Sequence, residues 1–321
     1  MKRIVSIILA GVMSLSLVSC APEADAPETS ETVLVDGINP HVYSRLYDEN
    51  FDEETKRSFF SFCDALYAGE EEFYCPDDVA FYNVTQTISH QCMPLATYFV
   101  DNSSCDVSGG RGHIVYTVPK DEYLDRVEDF KDIVSSILKE CIKPGYDDVD
   151  KALALYNFFE THYIYDHDAE QDGSVRLSSY RLLYEQKGIC QEIAPAYAYL
   201  LMQAGVECTT CGSLNSINEA HEWAVAVLNG KYYHIDPTWA VTDPGTLRYF
   251  GMTDDKRVSE GGWDRSLFNY GEANLFDPRG EMKADDTAFE QIWDSVSYSI
   301  DPEENRIDLV TGDGREMTFV Y

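Results

Sequence analysis

Positive charge is scarce in this chain. Across 321 residues there are 24 Lys and Arg against 57 Asp and Glu, a formal net charge of −33. Such a surface repels nucleic-acid phosphates and anionic lipid headgroups, which excludes DNA and RNA as partners. Long apolar runs are missing after the first nineteen residues, and no later segment is apolar enough to span a bilayer. No internal repeat of about 20–50 residues is visible. The acidic stretch TGDGRE near the C terminus lacks the ligand pattern of an EF-hand. The hydrophobic fraction, 44%, is ordinary for a globular protein, so a core can form.

What is present begins with a leader. Lys2 and Arg3 form a positive start, an apolar run follows, and small residues precede LVSC, Leu17 to Cys20. This resembles a bacterial lipoprotein signal. The resemblance implies cleavage of residues 1–19 and a lipid on the Cys20 sulfur, so the mature protein is expected to be extracytoplasmic and anchored to the cell membrane. An ordinary signal peptide is the alternative; the run is too short and too rich in serine for a spanning helix. Losing Lys2 and Arg3 takes the charge from −33 to −35. Residues 20–36 alternate Pro, Ala, Glu, Ser and Thr and read as a disordered tether.

Export permits disulfides. There are nine cysteines, at 20, 63, 75, 92, 105, 141, 190, 208 and 211. Cys63 with Cys75 and Cys92 with Cys105 are candidate pairs, although spacing does not fix connectivity. Cys208 and Cys211 form a CTTC that reads as a strained disulfide, half a metal site or two buried thiols. The gap from Cys211 to His221 is too short for the usual zinc-finger spacing, and neither metal nor cofactor is expected.

Residues 37–145 read as an N-terminal extension of mixed α/β pattern. FDEETKRSFFSFCDALYAG suggests a helix, VAFYNVTQTIS a strand, and HIVYTVP, His113 to Pro119, another strand. Apolar residues at 124, 127, 130, 134, 137, 138 and 141 mark an amphipathic helix. Residues 146–321 read as the catalytic domain. DDVDKALALYNFFETHY is a helix capped by Asp147 or Asp148, and YIYD is a short strand. GIC opens the helix QEIAPAYAYLLMQAG, which Gly205 ends; Pro195 removes a backbone bond and is a site for a bend. RIDLVTGDGREMTFVY is a C-terminal hairpin.

HEWAVAVLNGKYYHIDPTW, His221 to Trp239, is the strongest hairpin signal, two alternating runs around Asn229-Gly230. A two-residue loop sets Leu228 against Lys231, Trp223 against Asp236 and His221 against Thr238. His221 and Asp236 then project from one face as diagonal neighbours, near enough for the carboxylate to fix the imidazole tautomer. His234 shares that face and competes with His221. At the start of the GIC helix, free N–H groups and the helix dipole favour an anion, and a thiol in such a place ionises more readily. Cys190 alone reads more readily as a buried sulfur. Together with a histidine and an aspartate on one hairpin face it points to a nucleophile.

GICQEIAPAYAYLLMQAGVEC, HEWAVAVLNGKYYHIDPTW and RYFGMTDDKRV closely resemble the bacterial transglutaminase-like superfamily, over about Tyr146 to Trp263. The resemblance implies a papain-like α+β fold with a helix-borne cysteine packed on an antiparallel sheet. It also implies a Cys190–His221–Asp236 triad. Relatives often add an upstream aromatic donor to the oxyanion site; Tyr165 is the candidate, with Tyr184 behind it, and a core role for Tyr165 is as good a reading. Glu222 and Ala224 stand where many relatives have Ala and Asn, and Pro195 lies in the nucleophile helix. The expectation is a thiol acyl-transfer enzyme acting on peptide or protein amides, chiefly as a protease or amidase. Protein cross-linking of the transglutaminase type and a non-catalytic binding module are the alternatives.

Overall fold

Asn229 and Gly230 both take positive φ, 49° and 77°, as a type I′ turn requires. They join β7 (Ala220–Leu228) to β8 (Lys231–Ile235), in the register expected from Leu228–Lys231 through Ala224–Ile235. The computed structural model describes residues 37–215, 217, 219–271 and 282–321. The leader, Cys20 and the tether lie outside the described residues. All the described residues belong to one unit, Leu34–Tyr321.

The segment before this hairpin contains α1 (Arg45–Asn50), α2 (Glu53–Ala68), β1 (Glu72–Tyr74), α3 (Asp78–Tyr82), α4 (Ser89–Cys92), α5 (Pro94–Phe99), β2 (Asp106–Ser108) and β3 (Arg111–His113). The strand expected at 79–89 is not formed. A π-helical turn, Asn83–Ile88, links α3 to α4. Asp77 accepts from the N–H groups of Val79 and Ala80 at 3.0 and 2.9 Å, which starts a helix despite the β-branched residues. Buried Ala80 and Val84 are spaced by four, a helical and not a strand interval. The strand expected at 113–119 is also corrected. Only His113 of that segment lies in β3, and Pro119 already caps the next helix. β3 pairs with β1 and β2, and Gly112 permits it, since a Cβ there would stand 2.2 Å from the Phe73 ring.

α6 (Lys120–Cys141) and α7 (Asp148–His162) follow. Asp147 caps α7, accepting from Val149 and Asp150 at 2.9 Å each, while Asp150 accepts from Asp147 N–H at 3.1 Å. β4 (Ile164–Tyr165), α8 (His167–Gln171), α9 (Ser179–Glu185) and β5 (Lys187–Gly188) lead to α10 (Cys190–Gln203). α10 runs on through Pro195 and is buried almost all round, as its apolar composition requires. It stops at Gly205, φ +78°, where Val206 N–H reaches Leu201 and Gly205 N–H reaches Met202. β6 (Cys208–Leu214) pairs antiparallel with β7. After β8 come α11 (Pro237–Thr242), α12 (Asp254–Gly261) and β9 (Asn269–Tyr270), giving the strand order β8-β7-β6-β9. The expected C-terminal hairpin is β11 (Arg306–Thr311) and β12 (Glu316–Val320), joined by β10 (Ser295–Asp301). The architecture is α+β, with α10 packed on β6 and β7, and its main core runs from Ile38 to Phe319.

The candidate disulfides are not formed: the eight described cysteines are free thiols. Cys63 shares a small internal cavity with Cys92, not with Cys75. The Cys75 thiol bonds the Asp77 carbonyl, and that of Cys105 the Asp101 carbonyl. Cys208 and Cys211 are three apart on one strand, so they point to opposite faces. They enter different core clusters, and the CTTC is two buried thiols.

Candidate functional site

Cys190 begins α10, and a buried carboxylate organises that end of the helix. Glu192, fully buried, accepts from Ile189 N–H at 3.1 Å and from Ser178 N–H at 2.9 Å. Its other partner is Arg181, whose Nε lies 2.8 Å from Oε1 and whose Nη2 meets Oε2. Arg181 Nη1 continues to Asp166 Oδ2 at 2.9 Å. That guanidinium holds the Asp166 carboxyl down at about 2. Gly188 fits over this cluster with no room to spare, since a Cβ would come within 3.0 Å of Glu192 Oε2. The thiol is thereby fixed in the wall of a groove of about 880 Å³, whose lining also includes Tyr165, His90, His221, Glu222 and Leu267.

His221 faces it from β7. Its Nε2 lies 2.8 Å from Asp236 Oδ2, and His221 and Cys190 line the same groove, with the thiol near enough to favour a charged imidazole. With Nε2 committed to Asp236, Nδ1 is the nitrogen available to the sulfur. The route differs in one detail from the register argument. β8 ends at Ile235, so neither Trp223–Asp236 nor His221–Thr238 forms as a strand pair. Pro237 turns the chain into α11, and Asp236 is its N-cap. Oδ1 accepts from Thr238 and Trp239 N–H at 3.1 Å each, which aims Oδ2 at His221. Burial opposes a charge on the imidazole. The Asp236 charge, its hydrogen bond and the Cys190 thiol outweigh it and carry His221 up to about 9. Burial likewise opposes ionised Asp236, but His221 and Arg257 outweigh it and keep the carboxyl below its usual range.

Three of the four tryptophans close the site from behind. The His221 ring lies nearly parallel to Trp239 and Trp263, with centroids 5.4 and 5.7 Å away. His234 does not compete for the thiol. It is fully buried, its Nδ1 accepts from Trp223 Nε1 at 2.8 Å, and its Nε2 lies 2.9 Å from Asp254 Oδ1. Both nitrogens are thus engaged, one by Trp223 and one by Asp254, and burial lowers the pKa of the ring. Tyr165 lies in the groove wall, but its hydroxyl donates to Glu170 at 3.0 Å. Burial, then the nearby Cys190, push that hydroxyl's pKa up.

Two features had escaped the sequence. Arg257, from α12, is fully buried beside Asp236; it stands in RYFGMTDDKRV, a stretch that carries the resemblance but gives that arginine no role. His90, from α4, reaches Glu222 at 3.2 Å, 132 residues away, and no local signal announces that contact. Burial opposes the Glu222 charge, yet His90 brings its pKa below the usual value. Among the described residues no cluster could hold a metal ion.

No curated protein matches the chain. Three solved structures illustrate what it is similar to. A candidate cysteine protease from Cytophaga hutchinsonii is 18% identical, over 33% of this chain and 37% of its own, with a TM-score of 0.28. A TGase is 14% identical over 42% and 43%, with a TM-score of 0.31. The periplasmic domain of TgpA from Pseudomonas aeruginosa, bound to ethylmercury, is 18% identical over 36% and 45%, with a TM-score of 0.27. The chain spans less than half the length of each. Residues 135–237 match the model of the transglutaminase-like superfamily, a span that holds Cys190, His221 and Asp236, and the chain therefore carries a transglutaminase-like domain.

Proposed function

We propose that this protein is a cysteine acyl-transfer enzyme acting on peptide or protein amides, chiefly as a protease or amidase, held outside the cell by a lipid on Cys20. The observation that carries this reading is that His221, held by Asp236 at 2.8 Å, lines the same groove as Cys190 at the start of its helix. His221 takes the thiol proton, and the sulfur attacks the amide carbonyl. The Cys190 backbone N–H, at the start of α10, would donate to the oxygen as the tetrahedral charge develops. The imidazolium then gives its proton to the departing amine, leaving an acyl group on Cys190. Water attacks next, losing a proton to His221, and the thiol is restored as the acid leaves. An amine in place of water would give a cross-link.

The test is mass spectrometry of a peptide library containing free amines, incubated with the protein and with Cys190→Ala. Shortened peptides carrying one added water, absent with Cys190→Ala, are expected. Joined peptides lacking ammonia would replace hydrolysis by transamidation. No Cys190-dependent product, with no labelling of Cys190 by a peptide electrophile, would leave a non-catalytic binding module.

A further inference from the structure

Arg257 is the feature that the reaction above does not use. It comes from α12, in the stretch after the hairpin, and none of its side chain reaches solvent. Its Nη1 lies 3.1 Å from Asp236 Oδ2, the same oxygen that His221 holds from the other side. Its guanidinium carbon stands 4.1 Å from the Trp223 ring centroid, 4.5 Å from Trp239 and 5.2 Å from Trp263. No aligned hydrogen bond meets any of its three nitrogens among the described residues. The charge is met by one carboxylate and three indole faces, which attract a cation through their quadrupoles.

We infer that Arg257 is a positioning residue, a fixed cation that shares Asp236 with His221 and so limits how tightly the imidazole holds its proton. Two things follow from its place. The carboxylate oxygen is pinned between two cations, so His221 keeps its orientation. The second cation also weakens the pull of Asp236 on His221, because like charges at this range oppose each other. An imidazole bound only to an ionised, desolvated aspartate would keep its proton too well to pass it to a leaving amine. The other titratable groups around the guanidinium are Cys211 from β6, His234 from β8, Tyr249 before α12, and Glu260 on α12 itself. Glu260 is engaged elsewhere, with Arg248 and Lys256. Asp236 is thus the carboxylate that Arg257 meets.

The inference rests on the assignment of His221 as the base, so its test is read without turnover. The full chain, labelled with 15N-histidine, is titrated by NMR, with the His221 signal assigned by its loss in His221→Gln. In Arg257→Met the midpoint should rise by about one unit, the low end of what a charge at this distance does. In Arg257→Lys, which keeps a charge, it should stay close to the native value. An unmoved midpoint in Arg257→Met, or an equal rise in both variants, overturns the inference. If Arg257→Met does not fold, Arg257→Gln, which removes the charge but keeps a side-chain N–H donor for Asp236, takes its place. Arg257→Gln should raise the midpoint as Arg257→Met does, and a midpoint equal to the native one would overturn the inference. A native His221 response in a protein without Cys190-dependent chemistry would instead defeat the enzyme reading alone.

Discussion

The site has two walls, and each holds a buried arginine against carboxylates by different physics. On the cysteine wall, Arg181 spreads its nitrogens over Glu192 and Asp166 in aligned hydrogen bonds. On the histidine wall, Arg257 touches one oxygen of Asp236 and otherwise faces indole rings. Directional bonds fix an object in place, while π faces hold a charge without fixing its angles. The first wall therefore suits a helix start that must not move. The second suits a carboxylate whose hold on a proton must be graded.

On the proposed function, breaking Cys190, His221 and Asp236 gives the largest effects. Cys190→Ala should abolish turnover on any amide substrate, with the fold retained. His221→Ala should be nearly as severe in single-turnover acylation. Asp236→Ala should leave residual activity, at a cost of up to about 10⁴ in rate. His234→Ala should cost less activity than any of these, because that ring braces Trp223 and does not face the thiol. Were His234→Ala inactive while His221→Ala still acylates, the assignment of the base would be reversed.

Stability separates the walls next. Arg181→Met leaves the buried Glu192 charge, and Asp166 beside it, without their shared cation and with backbone N–H partners alone for Glu192, and should cost about 3–5 kcal/mol in denaturant unfolding. Arg257→Met should cost less, because Asp236 keeps His221 and two backbone N–H groups as partners. Equal losses would erase the contrast.

The smallest effect is on pH dependence. His221 rises from about 6.5 to about 9 on folding, so its stabilisation is complete below about pH 6.5 and is lost as pH rises through 9. Asp236 moves the other way: its contribution is present above the ordinary carboxylate range and disappears as pH falls through its depressed folded value. The gap in melting temperature between native protein and His221→Gln should therefore narrow from about pH 6.5 to about pH 9 and level off above that. A gap constant from pH 6 to 10 would contradict the raised histidine.

How much of this was legible follows from the range of the interactions. The α10 start, the Asn229-Gly230 turn and the Asp147 cap are set by neighbours in sequence, and each was readable there. The His221–Asp236 contact was readable because a two-residue turn relates the strands by counting, although the cap geometry that completes it was not. The helix at 78–92 was missed because β-branched Val79, Val84 and Thr85 outweighed the Asp77 cap in a local reading. The cysteine pairs followed sequence proximity, whereas Cys63 lies with Cys92 in the folded chain. Arg257 was hidden because nothing in DDKRV distinguishes a cation in water from one enclosed by tryptophans far away in sequence.

Asp236 caps α11 through one oxygen and orients His221 through the other. The two duties fall on one side chain, but only the orienting one needs a carboxylate, since an amide oxygen caps a helix as well. A descendant that abandoned the chemistry would be free to lose the Cys190 sulfur at once, yet would still be selected to keep an oxygen at position 236 to start its helix. Asn at 236 with a replaced cysteine would then be the mark of a retired enzyme, and Asp at 236 alone would say little about whether a relative still reacts.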